Sequence, residues 1–233
     1  DMSAFLWVAL DGLNKKEAET LGMAESLTAV RGDFGFKVNL DYLLLHGIRT
    51  AIANIAAFGR SVFADLKMWN GKRTMMDAVE RLVKQNVRYL NVYALADTML
   101  PETVERVRGT STEVLGVTVL THYDEKYCKT HFRRTLPETV KHLSETALAR
   151  GLHGVVLPGT TLGVVSHLSC KKMVPGIRPK WFKDDRHKEE VAVVEAVKGG
   201  ATDIVCGSPI TKSDNPIVAL VRVLEEIRSA SME

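Results

Sequence analysis

The sequence lacks the features that mark secreted, zinc-binding or membrane-spanning proteins. Its 233 residues include only three cysteines, an odd number without C-x-x-C spacing, which argues against a disulfide framework and a zinc site. The seven histidines show no paired metal-ligand spacing, so no metal site is predicted. The apolar run Ala4–Leu10 ends at Asp11 and is too short to cross a bilayer, and no N-terminal segment has a signal-peptide pattern. We therefore expect a cytoplasmic protein with no membrane partner.

A large excess of charge of one sign is also missing. The chain has 31 lysines and arginines against 28 aspartates and glutamates, a net charge of +3. So small an excess argues against a nucleic acid as partner, although a local positive patch can still bind a small anion. No G-x-G-x-x-G follows the first apolar run, which counts against a doubly wound dinucleotide-binding sheet.

What the chain does contain is a regular alternation of short apolar runs and longer amphipathic segments. Eight such strand–helix units predict a (β/α)₈ TIM barrel, which we expect to form a single domain over residues 1–233. Between the strands, Leu40–Phe58 is predicted to be one helix, and Tyr123–Leu136 a lid or surface excursion. The predicted strands are Phe5–Leu10, Phe34–Val38, Ser61–Leu66, Tyr89–Tyr93, Val114–Leu120, Gly154–Leu157, Met173–Ile177 and Asp203–Cys206.

Mostly polar or charged residues stand at or just after the carboxyl ends of the predicted strands. Because the active site of such a barrel lies at the carboxyl ends of its strands, these residues are expected to converge on one rim. They are Asp11, Lys37, Asp65, Lys67, Asn91, Tyr93, Thr121, His122, Pro158, Arg178, Gly207 and Ser208.

Asp65 and Lys67 form the strongest local signal. Residues two apart on a strand point the same way, so this carboxylate and ammonium are predicted to project together toward the barrel mouth. Each group favours the charged form of the other, which suits a proton donor held beside a negative substrate group. An ordinary ion pair at a strand end is the alternative interpretation.

A series of motifs favours the catalytic interpretation of Asp65 and Lys67 over an ordinary ion pair. The segment Asp65–Thr74 is similar to the D-x-K-x-x-D motif of the orotidine 5′-monophosphate decarboxylase superfamily. Other segments resemble further motifs of that family in the expected order, from residue 5 to residue 211. They are Val8–Asp11, Phe36–Val38, Val117–Thr121, Val174–Pro179 and Val205–Thr211, on the first, second, fifth, seventh and eighth strands.

This resemblance implies decarboxylation of orotidine 5′-monophosphate to uridine 5′-monophosphate without a cofactor, in de novo pyrimidine biosynthesis. It implies that the ammonium of Lys67 stabilises the carbanion at C6 and then protonates it, while Asp65 lies against the substrate carboxylate. Lys37 completes the charged network and, with Asp11, binds the ribose hydroxyls. The other implied binding residues are Thr74 at the third helix, Thr121 beside the pyrimidine, Pro175 in the seventh-strand motif, and Arg178, Gly207 and Ser208 toward the phosphate.

Two residues depart from the family pattern. Asn70 stands where the motif has a second aspartate that reaches into the partner subunit's site, so a negative charge beside Lys67 is lost. At an effective dielectric near ~20 that charge is worth a few kcal/mol, on the order of a hundredfold in rate. Ser208 stands where the eighth-strand motif has a phosphate-binding arginine. Basic residues of the seventh-strand loop are candidates to substitute for it, and Arg186 is the best placed. The alternative interpretation is that the basic residues of this loop are solvated and bind no ligand.

The same resemblance implies a homodimer with shared active sites. Two other functions stay open on the sequence. One is a related sugar-phosphate enzyme, of the 3-keto-L-gulonate 6-phosphate decarboxylase or hexulose-6-phosphate synthase type, although those use a magnesium-binding acid where Lys37 stands. The other is a catalytically impaired nucleotide-binding homologue, which the residues Asn70 and Ser208 suggest.

Overall fold

Eight parallel strands pair in chain order and close into a barrel, because the eighth strand pairs with the first. The computed structural model describes residues 3–11, 13, 17–183 and 189–233. The closed ring of eight parallel strands confirms the predicted (β/α)₈ barrel. The strands are β1 (Phe5–Ala9), β2 (Phe34–Asn39), β3 (Val62–Met68), β4 (Tyr89–Tyr93), β5 (Glu113–Val117), β6 (Gly154–Val156), β7 (Lys171–Val174) and β8 (Asp203–Cys206).

Helices connect the strands and pack around the barrel. Within the described residues, none of them is both long and apolar enough to cross a membrane. Two 3-10 helices, Ala94–Met99 and Gly159–Val165, follow β4 and β6. The α-helices are α1 (Glu17–Thr28), α2 (Leu40–His46), α3 (Ile48–Ala56), α4 (Lys72–Val83), α5 (Leu100–Val107), α6 (Glu125–Phe132), α7 (Leu136–Ala149), α8 (Val193–Lys198), α9 (Ser208–Thr211) and α10 (Pro216–Met232).

Local sequence signals explain where several of these helices begin. Thr135 and Glu138 form a reciprocal capping box at the start of α7. The side chain of Asn215 caps α10, and Pro216 occupies its first turn, where a missing N–H costs nothing. The segment between Tyr123 and Leu136 contains α6, whose first turn is capped by the side chain of Asp124.

Three predicted boundaries were wrong. Strand β5 ends at Val117 rather than at Leu120. The single helix predicted over Leu40–Phe58 is two helices. Gly47 adopts a left-handed φ of 78°, which interrupts the helical backbone between them. Strand β7 ends at Val174 rather than at Ile177. Pro175 has no N–H to donate to a neighbouring strand, and Gly176 has a φ of 66°, so the chain turns at this point.

Aromatic side chains fill the interior of the barrel. Trp7, Phe63 and Tyr89 are fully buried there, with ring centroids 5.4–6.1 Å apart. The indole N–H of Trp7 donates to the carboxylate of Asp203 at 3.0 Å, so the buried polar atom of this large side chain has a partner. Gly35 pairs with Trp7 across β1 and β2, and a Cβ atom at Gly35 would lie 2.8 Å from the indole ring. Among the described residues, the amino-terminal part of the barrel is thus closed by side chains, and a ligand would enter from the carboxyl end.

Candidate active site

The inward-facing side chains of β1 to β4 change from apolar to polar toward the carboxyl ends of the strands. Alternate residues of a strand share one face, so each row continues from the aromatic core into the barrel mouth. The rows are Trp7, Ala9 and Asp11 from β1; Gly35 and Lys37 on β2; Phe63 and Asp65 on β3; and Tyr89 and Asn91 on β4.

Lys37 lies at the centre of this polar layer and is only 4% exposed. Its ammonium contacts both carboxylate oxygens of Asp11 at 3.1 Å and Asp65 Oδ2 at 2.9 Å, and it also donates to Asn39 Oδ1. Burial by itself would lower the pKa of Lys37, but the charges of Asp65 and Asp11 outweigh burial and hold that pKa above its ordinary value. Lys37 is therefore a permanently charged link between two carboxylates.

Asp65 is buried between two lysines. Its Oδ2 accepts from Lys37, while its Oδ1 accepts from Lys67 Nζ at 2.7 Å and from Asn91 Nδ2 at 2.8 Å. Burial would raise the pKa of this carboxyl group, but the two neighbouring ammonium groups and their hydrogen bonds lower it below its ordinary range. Asp65 is consequently ionised at neutral pH.

Lys67 is the lysine of this network that reaches the open part of the cavity. Its side chain is 34% exposed, against 8% for Asp65 and 6% for Lys37. Its backbone has a left-handed φ of 51°, and the pairing of β3 with β4 shifts register between Ala64 and Met68. A non-glycine residue in this conformation costs of order ~1–3 kcal/mol and persists only when its surroundings enforce it. The predicted proximity of Asp65 and Lys67 is present, but at an irregularity of the strand.

Asn91 on β4 enforces that conformation. Its Oδ1 accepts a hydrogen bond from the backbone N–H of Lys67 at 2.8 Å, and its Nδ2 donates to Asp65. The Asn91 side chain is fully buried, so both bonds are shielded from water. One amide therefore orients both members of the Asp65–Lys67 pair.

A cavity of about 290 Å³ opens above this network at the carboxyl end of the barrel. The resemblance to the family assigned a catalytic or binding role to twelve residues. Nine of them line the cavity: Asp11, Lys37, Asp65, Lys67, Thr121, Pro175, Arg178, Gly207 and Ser208. Its deeper wall is apolar and includes Val117, Val156, Met173 and Val205. The cavity thus combines a charged wall at β1 to β3 with an apolar wall at β5 to β8, which suits a flat heterocycle that carries anionic groups.

Arg178 enters this cavity already paired. Its Nε donates to Glu190 Oε1 at 3.1 Å, and the exposed fractions of the two side chains are 14% and 9%. Its guanidinium also lies over the ring of Phe182, 5.3 Å from the centroid. Glu190 therefore both orients Arg178 and neutralises much of its charge.

The family model for orotidine 5′-phosphate decarboxylase / HUMPS matches residues 4–223, nearly the whole chain. The chain belongs to this family. The matched range includes every residue of the charged network and of the cavity wall.

Curated relatives agree with this assignment. The orotidine 5′-phosphate decarboxylase of Methylacidiphilum infernorum is 35% identical over 199 residues, covering 83% of this chain and 86% of that protein. The enzyme of the same name from a Bradyrhizobium species is 30% identical over 213 residues, covering 89% and 87% of the two chains. A crystal structure of orotidine 5′-phosphate decarboxylase from Lactobacillus acidophilus superposes with a TM-score of 0.79 at 23% identity, covering 97% of this chain and 99% of that chain. That superposition supports the fold.

Of the remaining three predicted site residues, two lie away from the cavity and one lies outside the described residues. Asn70 and Thr74 are exposed in this chain and do not line the cavity. They follow β3 on the loop to α4 and in its first turn, beside Trp69, whose side chain is 52% exposed. The predicted phosphate-binding residue Arg186 lies outside the described residues.

The sequence gives no role to several residues that the structure brings to the site. Asn91 lies near the carboxyl end of β4 and His122 comes after β5, and this place at the rim is the only signal that points to them. Asn39 lies two residues after Lys37, and this spacing was the available clue to their contact. Lys212 lines the cavity from the end of α9, and no motif indicates it.

Proposed function

We propose that this protein is an orotidine 5′-phosphate decarboxylase that converts orotidine 5′-monophosphate into uridine 5′-monophosphate and carbon dioxide without a cofactor. One observation carries the proposal. The buried row Lys37–Asp65–Lys67 ends with an ammonium that is 34% exposed toward the cavity, while the other two members are almost fully buried. Family membership and the curated relatives support the same reaction.

In this reaction the bond between C6 of the pyrimidine and its carboxylate breaks, and the electron pair stays on C6. Carbon dioxide leaves, and an N–H of the Lys67 ammonium transfers its proton to C6. Solvent then returns a proton to the amine. A positive charge that is fixed before the reaction begins stabilises a developing carbanion without reorganisation, and Asp65 and Asn91 hold this one in place.

Asp65 has two proposed roles. It holds the Lys67 ammonium at 2.7 Å, and its own charge lies where the substrate carboxylate would approach. Since the pKa of Asp65 is lowered by Lys37 and Lys67 despite burial, Asp65 does not relieve that repulsion by taking up a proton. Loss of carbon dioxide removes the repulsion, while the attraction of Lys67 for the C6 carbanion grows.

The rest of the cavity suits a nucleotide. We propose that Asp11 and Lys37 bind the ribose hydroxyls, that Thr121 and Pro175 lie beside the pyrimidine, and that the phosphate lies at the loops after β7 and β8. Gly207, Ser208 and Arg178 line that end of the cavity. Loops seven and eight are the usual phosphate position in barrels of this kind.

The position of Lys37 argues against the sugar-phosphate enzymes of the family. Those enzymes use a magnesium-binding acid on the second strand, where Lys37 stands here. The Lys37 ammonium lies within 3.1 Å of both Asp11 and Asp65, so a cation already occupies the space between these two carboxylates.

We further propose a homodimer whose partner covers the loop that carries Trp69, Asn70 and Thr74. An indole that is 52% exposed beside the catalytic row supports this arrangement. Light scattering should give a mass near twice the 25.8 kDa of one chain, and a monomer mass at micromolar concentration would refute the proposal. The cysteines of the chain are unpaired, which fits the reducing cytoplasm, and cell fractionation would test that location.

The decisive test is turnover of orotidine 5′-monophosphate, followed through the loss of substrate ultraviolet absorbance. We expect activity in the native protein and a loss of at least about a thousandfold in Lys67→Ala. Lys126→Ala, which removes an exposed lysine of α6 outside the cavity, should keep full activity. Tight binding of uridine 5′-monophosphate without turnover would instead indicate an impaired nucleotide-binding homologue. Magnesium-dependent activity on a hexulose phosphate would indicate the sugar-phosphate branch.

A further inference from the structure

A phosphate monoester needs positive charge, and the eighth-strand loop offers Ser208 where an arginine was expected. A serine hydroxyl donates one hydrogen bond and carries no charge, whereas a guanidinium offers a charged fork. Another cation at this end of the cavity must therefore meet the phosphate. This inference rests on the proposed function, because that function supplies the anionic ligand.

The cations that line the cavity differ in whether an acid already neutralises them. Lys37 contacts Asp11 and Asp65, and Lys67 shares Asp65. Arg178 is paired with the nearly buried Glu190. Lys212 lines the same cavity, and over residues 3–11, 13, 17–183 and 189–233 it has no ion-pair partner. The charge of Lys212 is therefore available to pair with an anionic ligand.

Lys212 also lies at the right end of the cavity. It follows the short helix α9, and its backbone N–H donates to the carbonyl of Ser208 at 3.0 Å, which closes one helical turn. Residues four apart on a helical turn share a face, so the Lys212 side chain is on the same side as Ser208. In the closed ring of strands, β1 and β2 separate β8 from β3, which places Lys212 away from the reacting amine of Lys67.

We infer that Lys212 is the residue that recognises the 5′-phosphate in this protein, in place of the missing arginine at position 208. It lies one helical turn further along the same loop, and its flexible four-carbon stem is long enough to bring the charge back toward Ser208. A lysine binds as a point charge rather than as a fork, so the recognition depends on charge more than on geometry. The phosphate contribution to affinity should therefore weaken as the salt concentration rises.

The test compares the affinities of uridine 5′-monophosphate and uridine, measured by calorimetry on the full chain. The native protein should bind the nucleotide more tightly than the nucleoside. In Lys212→Met, which keeps the length of the side chain, this preference should fall at least tenfold while the affinity for uridine stays the same. Lys212→Arg should retain most of the preference. Lys126→Met removes the same charge from an exposed position outside the cavity and should change neither affinity.

Each outcome decides the matter. An undiminished preference in Lys212→Met would overturn the assignment of Lys212 and leave the proposed function intact. An equal loss in Lys212→Arg would also overturn it, because charge would then not be the cause. If the native protein did not prefer the nucleotide over the nucleoside, the proposed function itself would fail, together with this inference. Unchanged uridine affinity in Lys212→Met shows that the cavity is still folded.

Discussion

The backbone N–H of Lys67 donates a hydrogen bond to the side-chain oxygen of Asn91 at 2.8 Å. This bond holds Lys67 in a left-handed conformation with a φ of 51°, which a lysine rarely adopts. The amide of Asn91 also donates to Asp65, so the carboxylate and the backbone of the lysine that it orients have one common anchor. The position of the Lys67 amine therefore depends on a neutral residue of the neighbouring strand.

The first prediction follows from this anchor. Asn91→Ala should lower kcat for orotidine 5′-monophosphate by about tenfold or more with a smaller change in KM, because Lys67 relaxes from its strained conformation. It should also lower the free energy of unfolding by ~1–3 kcal/mol, because a buried N–H loses its acceptor. Steady-state kinetics and urea denaturation measure the two effects.

Thr112→Val is the control for a general loss of stability. Thr112 is buried just before β5, at the opposite end of the barrel, and its hydroxyl donates to the carbonyl of Val87 at 2.6 Å. We expect a similar loss of stability with unchanged kcat. Equal effects of the two substitutions on kcat would show that Asn91 does not act on Lys67.

The second prediction concerns the effect of low pH on the stability of the folded protein. Burial tends to raise the pKa of Asp65, but Lys37 and Lys67 lower it below its ordinary value of 3.8. A lowered pKa stabilises the folded protein above the unfolded pKa, and this stabilisation is lost as the pH falls toward the folded value. Asp65→Asn should therefore be less stable than the native protein at pH 6, and the difference should shrink below about pH 4. Urea denaturation between pH 3 and pH 6 measures the difference.

Asp77→Asn is the matched control for this experiment. Asp77 is exposed on α4 and pairs with Arg81 at 2.8 Å, so its charge is already solvated. We expect little difference from the native protein at either pH. A stability difference for Asp65→Asn that stays constant from pH 6 to pH 3 would contradict the proposed coupling with the lysines.

The third prediction concerns Asn70, which stands in the place of a family aspartate. Asn70→Asp should raise kcat by about ten- to a hundredfold, because in the proposed dimer it restores a negative charge near the Lys67 ammonium of the shared site. Asn86→Asp adds the same charge at an exposed residue after α4 and should leave kcat unchanged. A decrease in kcat for Asn70→Asp would mean that this chain has adapted its network to the amide.

The fourth prediction concerns the closed end of the barrel. Trp7→Phe should lower the free energy of unfolding by ~1–3 kcal/mol, because Asp203 is buried and loses the indole donor at 3.0 Å. Tyr89→Phe removes a longer bond to the same carboxylate, 3.4 Å, and should cost less. The reverse order in thermal or urea denaturation would show that the Trp7 bond does not hold the carboxylate.

The fifth prediction concerns Gly35. A Cβ atom there would lie 2.6 Å from the backbone carbonyl of Ser61 and 2.8 Å from the ring of Trp7, so Gly35→Ala should destabilise the protein by ~1–3 kcal/mol. Gly22→Ala in α1 meets nothing within 4 Å and should stabilise by up to about 1 kcal/mol, because alanine is the better helix former. Equal effects of both substitutions on the melting temperature would refute the steric explanation.

The barrel was predictable from the sequence because its causes are local and repeat along the chain. Strands buried on both faces are continuously apolar, and eight of them alternate with amphipathic helices. Helix starts at Pro101 and Pro216 follow from the chemistry of the first turn. The prediction erred where one backbone conformation interrupts a continuous pattern, as at Gly47, since an apolar period of 3.6 does not reveal a left-handed residue.

The sequence by itself determined the barrel, the family and the rim on which Asp11, Lys37, Asp65 and Lys67 meet, because strand order and side-chain alternation fix which residues face the mouth. Only the tertiary structure decided how those charges pair. In the folded chain Lys37 lies between two carboxylates, and Asn91 holds the backbone of Lys67. Arg178 pairs with Glu190, whereas Lys212 has no acidic partner among the described residues. Ion pairs depend on distances between residues far apart in the chain, and these distances exist only after the barrel has closed.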